Sequence, residues 1–115
     1  MNDPKKTGTG KPRMDMVPWD AVEAVGGHFA TSAQKYPDRD WEEHVPEYRW
    51  SVYYAAMMRH SVRWFQGEDR DEDGHLHAVA MATNALMLCA YVLRNHPGDD
   101  RPRTLKQPEY LEDIE

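Results

Sequence analysis

The amino-acid sequence predicts a small all-α protein, a bundle of three main helices with extended tails that is completed by oligomerisation. Apolar residues recur at the helical period through the middle of the chain, and no segment shows the alternation typical of a strand. Proline and glycine occur where those helices would end. The 115 residues suit one small domain, which we place at 17–96, after a mobile polar segment at 1–16 and before a charged tail at 97–115.

The first helix is predicted over about residues 19–36. Pro18 suits its start because the fixed φ of proline matches the first helical turn, and the sequence "YPDRD" ends it. Gly26 and Gly27 each cost roughly 1 kcal/mol relative to alanine inside a helix. This pair therefore predicts either a break in the helix or the close approach of another backbone.

The second helix is predicted over about residues 46–65, ending before Gly67. Its apolar residues share one broad face at the 3.6-residue period, namely Trp50, Tyr53, Tyr54, Met57, Met58, Trp64 and Phe65. The third helix is predicted over about 75–95, before Pro97, and is apolar nearly all round. Two neighbouring helices cannot cover such a helix, so we expect a homo-oligomer.

The composition excludes several classes of protein. A net charge of −6 and a pI near 5.5 argue against a nucleic-acid-binding surface. Cys89 is the single cysteine, which excludes an intrachain disulfide and a cysteine-based zinc site, and a buried free thiol suits a reducing cytoplasm. The N-terminus does not resemble a secretory signal, and the longest apolar stretch falls short of the roughly 20 residues of a membrane span. We expect a soluble cytoplasmic protein.

The stretch "GEDRDEDGHLHAVA", residues 67–80, begins like a calcium-binding EF-hand loop. That interpretation fails because Ala80 stands where the twelfth position requires a bidentate glutamate. Most charge runs of this kind are solvated connections between helices. A helical turn would instead place Glu68 and Asp71 on one side, and with His77 they would form an oxygen-rich site suited to Mg²⁺ or Mn²⁺.

Polar residues at the edges of the predicted helices suggest a matching substrate site. Arg49, His60 and Arg63 border the apolar face of the second helix, either as an ordinary solvated flank or as groups for phosphate binding opposite the acidic stretch. Asn84 lies in an apolar run, where an unpaired amide costs roughly 1–3 kcal/mol. It therefore either bonds a neighbouring helix or faces a polar cavity. The N-terminal segment adds two further cations, Lys11 and Arg13.

Four strings in order cover roughly residues 9–95 and carry a family resemblance: "GKPRMDMVP", "KYPDRDW", "YRWSVYYAAMMRHSVRWFQGEDRD" and "GHLHAVAMATNAL". The chain resembles the N-terminal domain family of phage dATP/dGTP diphosphohydrolases, which is similar to the MazG-like all-α nucleotide pyrophosphohydrolases. The resemblance implies an oligomeric enzyme of the host cytoplasm. It would hydrolyse purine deoxynucleoside triphosphates to monophosphate and pyrophosphate with a divalent metal.

On this hypothesis the metal would neutralise phosphate oxygens and activate water for attack on the α-phosphorus. Each group of candidate residues then has a role: catalysis by His60 and Glu68; metal binding by Glu68, Asp71 and His77; phosphate binding by Lys11, Arg13, Arg49 and Arg63; and contact with the base or sugar by Asn84. The alternative is a non-catalytic phage protein that binds a nucleotide or a partner, favoured by Ala80 where the family pattern would place a second histidine. An HD-type phosphohydrolase is disfavoured because the chain has no His-Asp dipeptide.

Overall fold

The computed structural model describes residues 10–32, 34–43 and 49–105. Within these ranges the chain forms helices and no strand, so the all-α prediction is confirmed. The first element is a 3₁₀ turn at Met14–Met16. The α-helices follow in the order α1 Trp19–Ser32, α2 Asp40–Glu43, α3 Trp50–Phe65 and α4 His77–Arg94. Most of the predicted mobile N-terminal segment, the predicted start of the second helix near residue 46, and residues 106–115 of the predicted tail lie outside the described residues.

The hairpin of α3 and α4 is the centre of the fold, and α1 packs against α4. α3 ends at Phe65, as predicted, because Gly67 adopts the left-handed conformation with φ of 100°. The Gly67 N–H donates to the Trp64 carbonyl at 2.9 Å, and the Glu68 N–H donates to the Arg63 carbonyl at 3.1 Å. This pair of hydrogen bonds is the Schellman motif that commonly ends a helix at glycine.

Tyr91 of α4 lies at the centre of the core and is fully buried. Its ring stacks on that of Trp50 at a centroid distance of 6.1 Å and meets the Tyr53 ring edge-on at 5.4 Å. The Tyr91 hydroxyl donates to the backbone carbonyl of Trp41 at 2.5 Å. One side chain therefore joins α2, α3 and α4.

The glycine pair does not have the effect predicted for it. α1 runs through Gly26 and Gly27 without a break, and a Cβ atom built at either would meet nothing within 4 Å. Both expectations, a break or a close backbone approach, are wrong, because the intrahelical hydrogen bonds maintain the helix and its glycine surface is open. α1 ends at Ser32, before the predicted end near residue 36.

Part of the predicted C-terminal tail packs against the start of α3. The Trp50 N–H donates to the Gly98 carbonyl at 3.1 Å, and the Ser51 N–H donates to Asp100 Oδ1 at 2.9 Å. The Arg101 guanidinium lies 4.9 Å from the centroid of the Trp50 ring, which is a cation–π distance. We call Gly98–Arg101 the C-terminal clasp. Without it the first turn of α3 would lose the acceptors for two backbone N–H groups, those of Trp50 and Ser51.

By length and composition alone, α4 is the one helix in the described part of the chain that could cross a membrane. The sequence-based expectation that the longest apolar stretch falls short of a membrane span therefore does not hold for α4. Core helices of soluble proteins share this composition but are mostly buried, whereas 22% of α4 is buried in the described structure, at His77, Ala80, Thr83 and Tyr91.

Candidate functional site

The acidic stretch is a tight loop between α3 and α4, and we refer to residues 66–76 as the acidic loop. Arg70 and Leu76 form an isolated antiparallel bridge across it. The backbone N–H groups of Asp73 and His75 both donate to Asp71 Oδ1 at 2.9 Å. The predicted helical turn through Glu68 and Asp71 is therefore absent, because Gly67 ends α3 and the loop closes around the Asp71 carboxylate.

Three of the predicted site residues form a continuous chain of hydrogen bonds. Glu68 Oε1 lies 2.7 Å from His77 Nε2, and His77 Nδ1 lies 2.8 Å from His60 Nδ1. His77 is only 3% exposed, whereas His60 is partly exposed. The loop after α3 supplies Glu68, the first turn of α4 supplies His77, and the third turn of α3 supplies His60. Folding of the hairpin thus brings together residues that are far apart in sequence.

Two further histidines, His28 and His75, extend this cluster and were not predicted. His75 Nδ1 lies 3.7 Å from Asp71 Oδ2, and ligand atoms of Asp71, Asp73 and His75 all lie within 4.8 Å of one another. The His28 ring of α1 meets the His75 ring edge-on at 5.2 Å between centroids. The available signal for His75 was its position two residues before His77. Nothing in the local sequence of α1 indicated that His28 would lie here.

The environment of the cluster disfavours positive charge on two of its imidazoles. Burial lowers the pKa of His28, with a further contribution from nearby His75 and His60. Burial also lowers the pKa of His60, and His77 acts in the same direction. For Asp71 burial acts to raise the pKa, but the two backbone N–H donors and the neighbouring histidines outweigh it, so the pKa lies below its ordinary value.

A cavity of about 820 Å³ adjoins the cluster. It lies between α1, α2, α3 and α4, and its lining includes His28, Phe29, Arg39, Trp41, Tyr53 and Asn84. His28 both lines this cavity and contacts His75, so it connects the cavity with the acidic loop. Arg39 and Trp41 were missed because the sequence around them predicted no helix between the first helix and the second one.

Asn84 faces this cavity, which is one of the two alternatives left open by the sequence. Its side-chain Nδ2 donates to the Ala80 carbonyl of its own helix at 2.8 Å. The amide is therefore satisfied within α4 while the side chain lies on the cavity wall.

The predicted phosphate-binding residues are not all brought to one place. Arg63 Nη1 lies 4.0 Å from Glu68 Oε1, at the edge of the cluster. Arg13 instead forms an ion pair with Asp15 at 2.8 Å. Lys11 and Arg49 are exposed. The described residues that line the cavity include none of the four predicted phosphate-binding residues, Lys11, Arg13, Arg49 and Arg63.

Comparison with known protein families gives one informative match. The family model described as dATP/dGTP diphosphohydrolase, N-terminal, matches residues 1–101, a range that includes the cluster, the acidic loop and the cavity. This match confirms the resemblance carried by the sequence motifs. Neither the curated proteins nor the solved structures give a match.

Proposed function

The chain belongs to the dATP/dGTP diphosphohydrolase N-terminal family, and from this premise we propose that it hydrolyses purine deoxynucleoside triphosphates to monophosphate and pyrophosphate with Mg²⁺ or Mn²⁺. The observation that carries the proposal is the hydrogen-bonded cluster of Glu68, His77 and His60, together with a cavity lined by aromatic and polar side chains. The contact between His28, which lines the cavity, and His75 of the acidic loop connects the two. Catalytic carboxylates and imidazoles next to a concave pocket are the usual components of a hydrolytic site.

The cavity is suitable for a nucleotide. Its volume of about 820 Å³ is within the usual range of small-molecule sites. The rings of Phe29, Trp41 and Tyr53 in its lining offer apolar surface for a purine base. We propose that Asn84 contacts the base or sugar and that Arg39, which also lines the cavity, supplies positive charge near the ligand.

The donor set fits a hard divalent cation. Among the described residues, ligand atoms of Asp71, Asp73 and His75 lie close enough together to share an ion, and two backbone N–H donors hold the Asp71 carboxylate in a fixed orientation. When bound there, the metal would supply charge neutralisation on the phosphates and activation of water. Both ring nitrogens of His77 are engaged with neighbouring side chains. We therefore propose Asp71 as the metal-binding carboxylate, and the predicted roles of Glu68 and His77 as ligands stay predictions.

Positive side chains are required to hold the triphosphate. Arg63 is next to Glu68, which supports its proposed contact with the phosphate chain. The proposed phosphate contacts of Lys11, Arg13 and Arg49 stay predictions, because these residues lie on exposed surface away from the cavity lining.

We also propose that the protein is a cytoplasmic homo-oligomer. Large apolar side chains of α4 are exposed, with Leu93 at 84% and Leu86 at 54%. Contiguous apolar surface of this kind commonly marks an interface. Light scattering coupled to gel filtration would measure the mass directly, and a monomer at micromolar concentration would contradict this part of the proposal.

The decisive experiment is a product assay with each of the four deoxynucleoside triphosphates, first with Mg²⁺ and then with Mn²⁺. We expect pyrophosphate and the monophosphate from dATP or dGTP. Glu68→Gln should abolish turnover while circular dichroism stays helical. Glu72→Gln is the matched control, because Glu72 is an exposed carboxylate of the same loop. Full turnover by Glu68→Gln, or release of single phosphates, would contradict the proposal.

The alternative function, a non-catalytic nucleotide- or partner-binding protein, is favoured by one observation. Ala80 stands where the family pattern would place a second histidine, and it is only 1% exposed. Tight binding of dATP or dGTP by the folded protein, without turnover in either metal, would support this alternative.

A further inference from the structure

The two hydrogen bonds of His77 restrict the positions of the protons in the cluster. A neutral imidazole carries one N–H donor and one lone-pair acceptor, whereas a carboxylate only accepts. Because Glu68 Oε1 lies 2.7 Å from His77 Nε2, that nitrogen carries the proton and donates. In the neutral form of His77 the lone pair is therefore on Nδ1.

The same reasoning extends to His60. His77 Nδ1 lies 2.8 Å from His60 Nδ1, and a hydrogen bond between two ring nitrogens requires one donor and one acceptor. Since His77 Nδ1 accepts, His60 Nδ1 carries its proton and donates. The lone pair of His60 is then on Nε2, on the edge of the ring that is directed away from His77. Histidine in water prefers the opposite tautomer, so the protein would impose this one.

We propose that His77 is a positioning residue, which uses the Glu68 carboxylate to fix His60 as the Nδ1–H tautomer and leaves the Nε2 lone pair of His60 as the base. This inference rests on the proposed function. In that reaction the oxygen of water forms a bond to the α-phosphorus while the bond from the α-phosphorus to the oxygen bridging to the β-phosphorus breaks. Pyrophosphate leaves with that oxygen, one proton of the water is transferred to His60 Nε2, and the other stays on the oxygen that joins the monophosphate.

The burial of the cluster supports positioning by His77. Because His77 is 3% exposed, water does not compete for its ring nitrogens, and the orientation set by its two partners is retained. His60 is partly exposed, as a base that meets a substrate must be. A carboxylate that orients one imidazole by hydrogen bonding is a recurrent device in hydrolases. Here the oriented imidazole in turn orients a second one.

Ring-¹⁵N-labelled protein tests the proton positions directly by long-range proton–nitrogen correlation, with Mg²⁺ as the diamagnetic metal. We expect His60 to show the Nδ1–H tautomer in the wild type. His77→Asn keeps an acceptor oxygen near the position of Nδ1 and should retain this tautomer. His77→Leu removes the acceptor and should convert His60 to the Nε2–H tautomer. An Nε2–H tautomer of His60 in the wild type would overturn the inference.

Kinetics provides the second readout. Loss of a correctly positioned base commonly lowers kcat by roughly 10²–10⁴-fold. We therefore expect His77→Leu to lower kcat by at least about 10-fold with little change in KM, and His77→Asn to recover part of the loss. Equal kcat values for wild type and His77→Leu would refute the positioning role. If His77→Leu does not fold, the spectra of the wild type and of His77→Asn still show which tautomer His60 adopts. Absence of turnover in the wild type would contradict the proposed function, whereas the tautomer measurement stands independently of it.

Discussion

Replacing Tyr91 with phenylalanine removes a single oxygen atom from the centre of the core while leaving its aromatic packing in place. That oxygen donates to the Trp41 carbonyl at 2.5 Å and is also hydrogen-bonded to the Tyr53 side chain. A buried hydrogen bond contributes about 0.5–1.5 kcal/mol net. Loss of two such bonds should therefore lower the free energy of unfolding by roughly 1–3 kcal/mol.

Urea unfolding followed by circular dichroism measures this change at a fixed protein concentration, which is necessary if the protein self-associates. We expect a lower midpoint with an unchanged slope, because the surface exposed on unfolding is the same. Tyr54→Phe is the matched control. The Tyr54 side chain is 56% exposed, and such surface changes usually alter stability by less than about 0.5 kcal/mol.

The same substitution tests how the cavity is built. Because the Tyr91 hydroxyl holds the backbone at Trp41, and Trp41 lines the cavity, Tyr91→Phe should weaken nucleotide binding without abolishing catalysis. Equal midpoints for Tyr91→Phe and Tyr54→Phe would refute the idea that this hydroxyl fastens α2 to α4.

Three further perturbations test other parts of the structure. Gly27→Ala should raise the free energy of unfolding by about 0.5–1 kcal/mol, because its Cβ would meet nothing within 4 Å; a lower urea midpoint would contradict the open surface. Burial holds the pKa values of His28 and His60 below the ordinary 6.5, so the unfolded chain takes up protons first. The contribution of these groups to the free energy of unfolding is fully present above pH 6.5 and is lost as the pH falls through their folded pKa values. Melting temperatures measured between pH 7 and 5 should therefore fall with pH, and they should fall less steeply in His28→Gln. Equal falls in the wild type and in His28→Gln would contradict this explanation. Asp100→Ala removes the acceptor for a backbone N–H group of α3 and should cost roughly 0.5–2 kcal/mol, as loss of a helix cap does; an unchanged urea midpoint would exclude that role.

Local patterns were sufficient to predict the long helices but not the elements between them. The apolar period and Gly67 predicted the end of α3 at Phe65 because both signals act within one or two turns. α2 has four residues, too few for a periodic pattern, and its backbone is held by the hydroxyl of a residue 50 positions away. A contact over that separation in sequence has no local signature.

The candidate site was likewise predicted only in part from the sequence. His60 was predicted at the edge of the second helix, and Glu68 and His77 in the acidic stretch as metal ligands; the structure places the three in one hydrogen-bonded chain. The sequence did not indicate that His77 would use both ring nitrogens on protein partners, because that depends on how α3 and α4 pack. His28 was missed because only the docking of α1 on α4 brings it to the acidic loop.

The C-terminal clasp makes the integrity of α3 depend on chain that follows α4. Asp100 and Ser51 are 49 positions apart, so this contact closes a long loop without a covalent bond. The entropic cost of ordering that loop must be met before the clasp can form. We therefore expect the first turn of α3 to be completed late in folding and to exchange its amide hydrogens together with the clasp. A single proteolytic cut between α4 and Asp100 would release that turn while leaving the rest of the hairpin assembled.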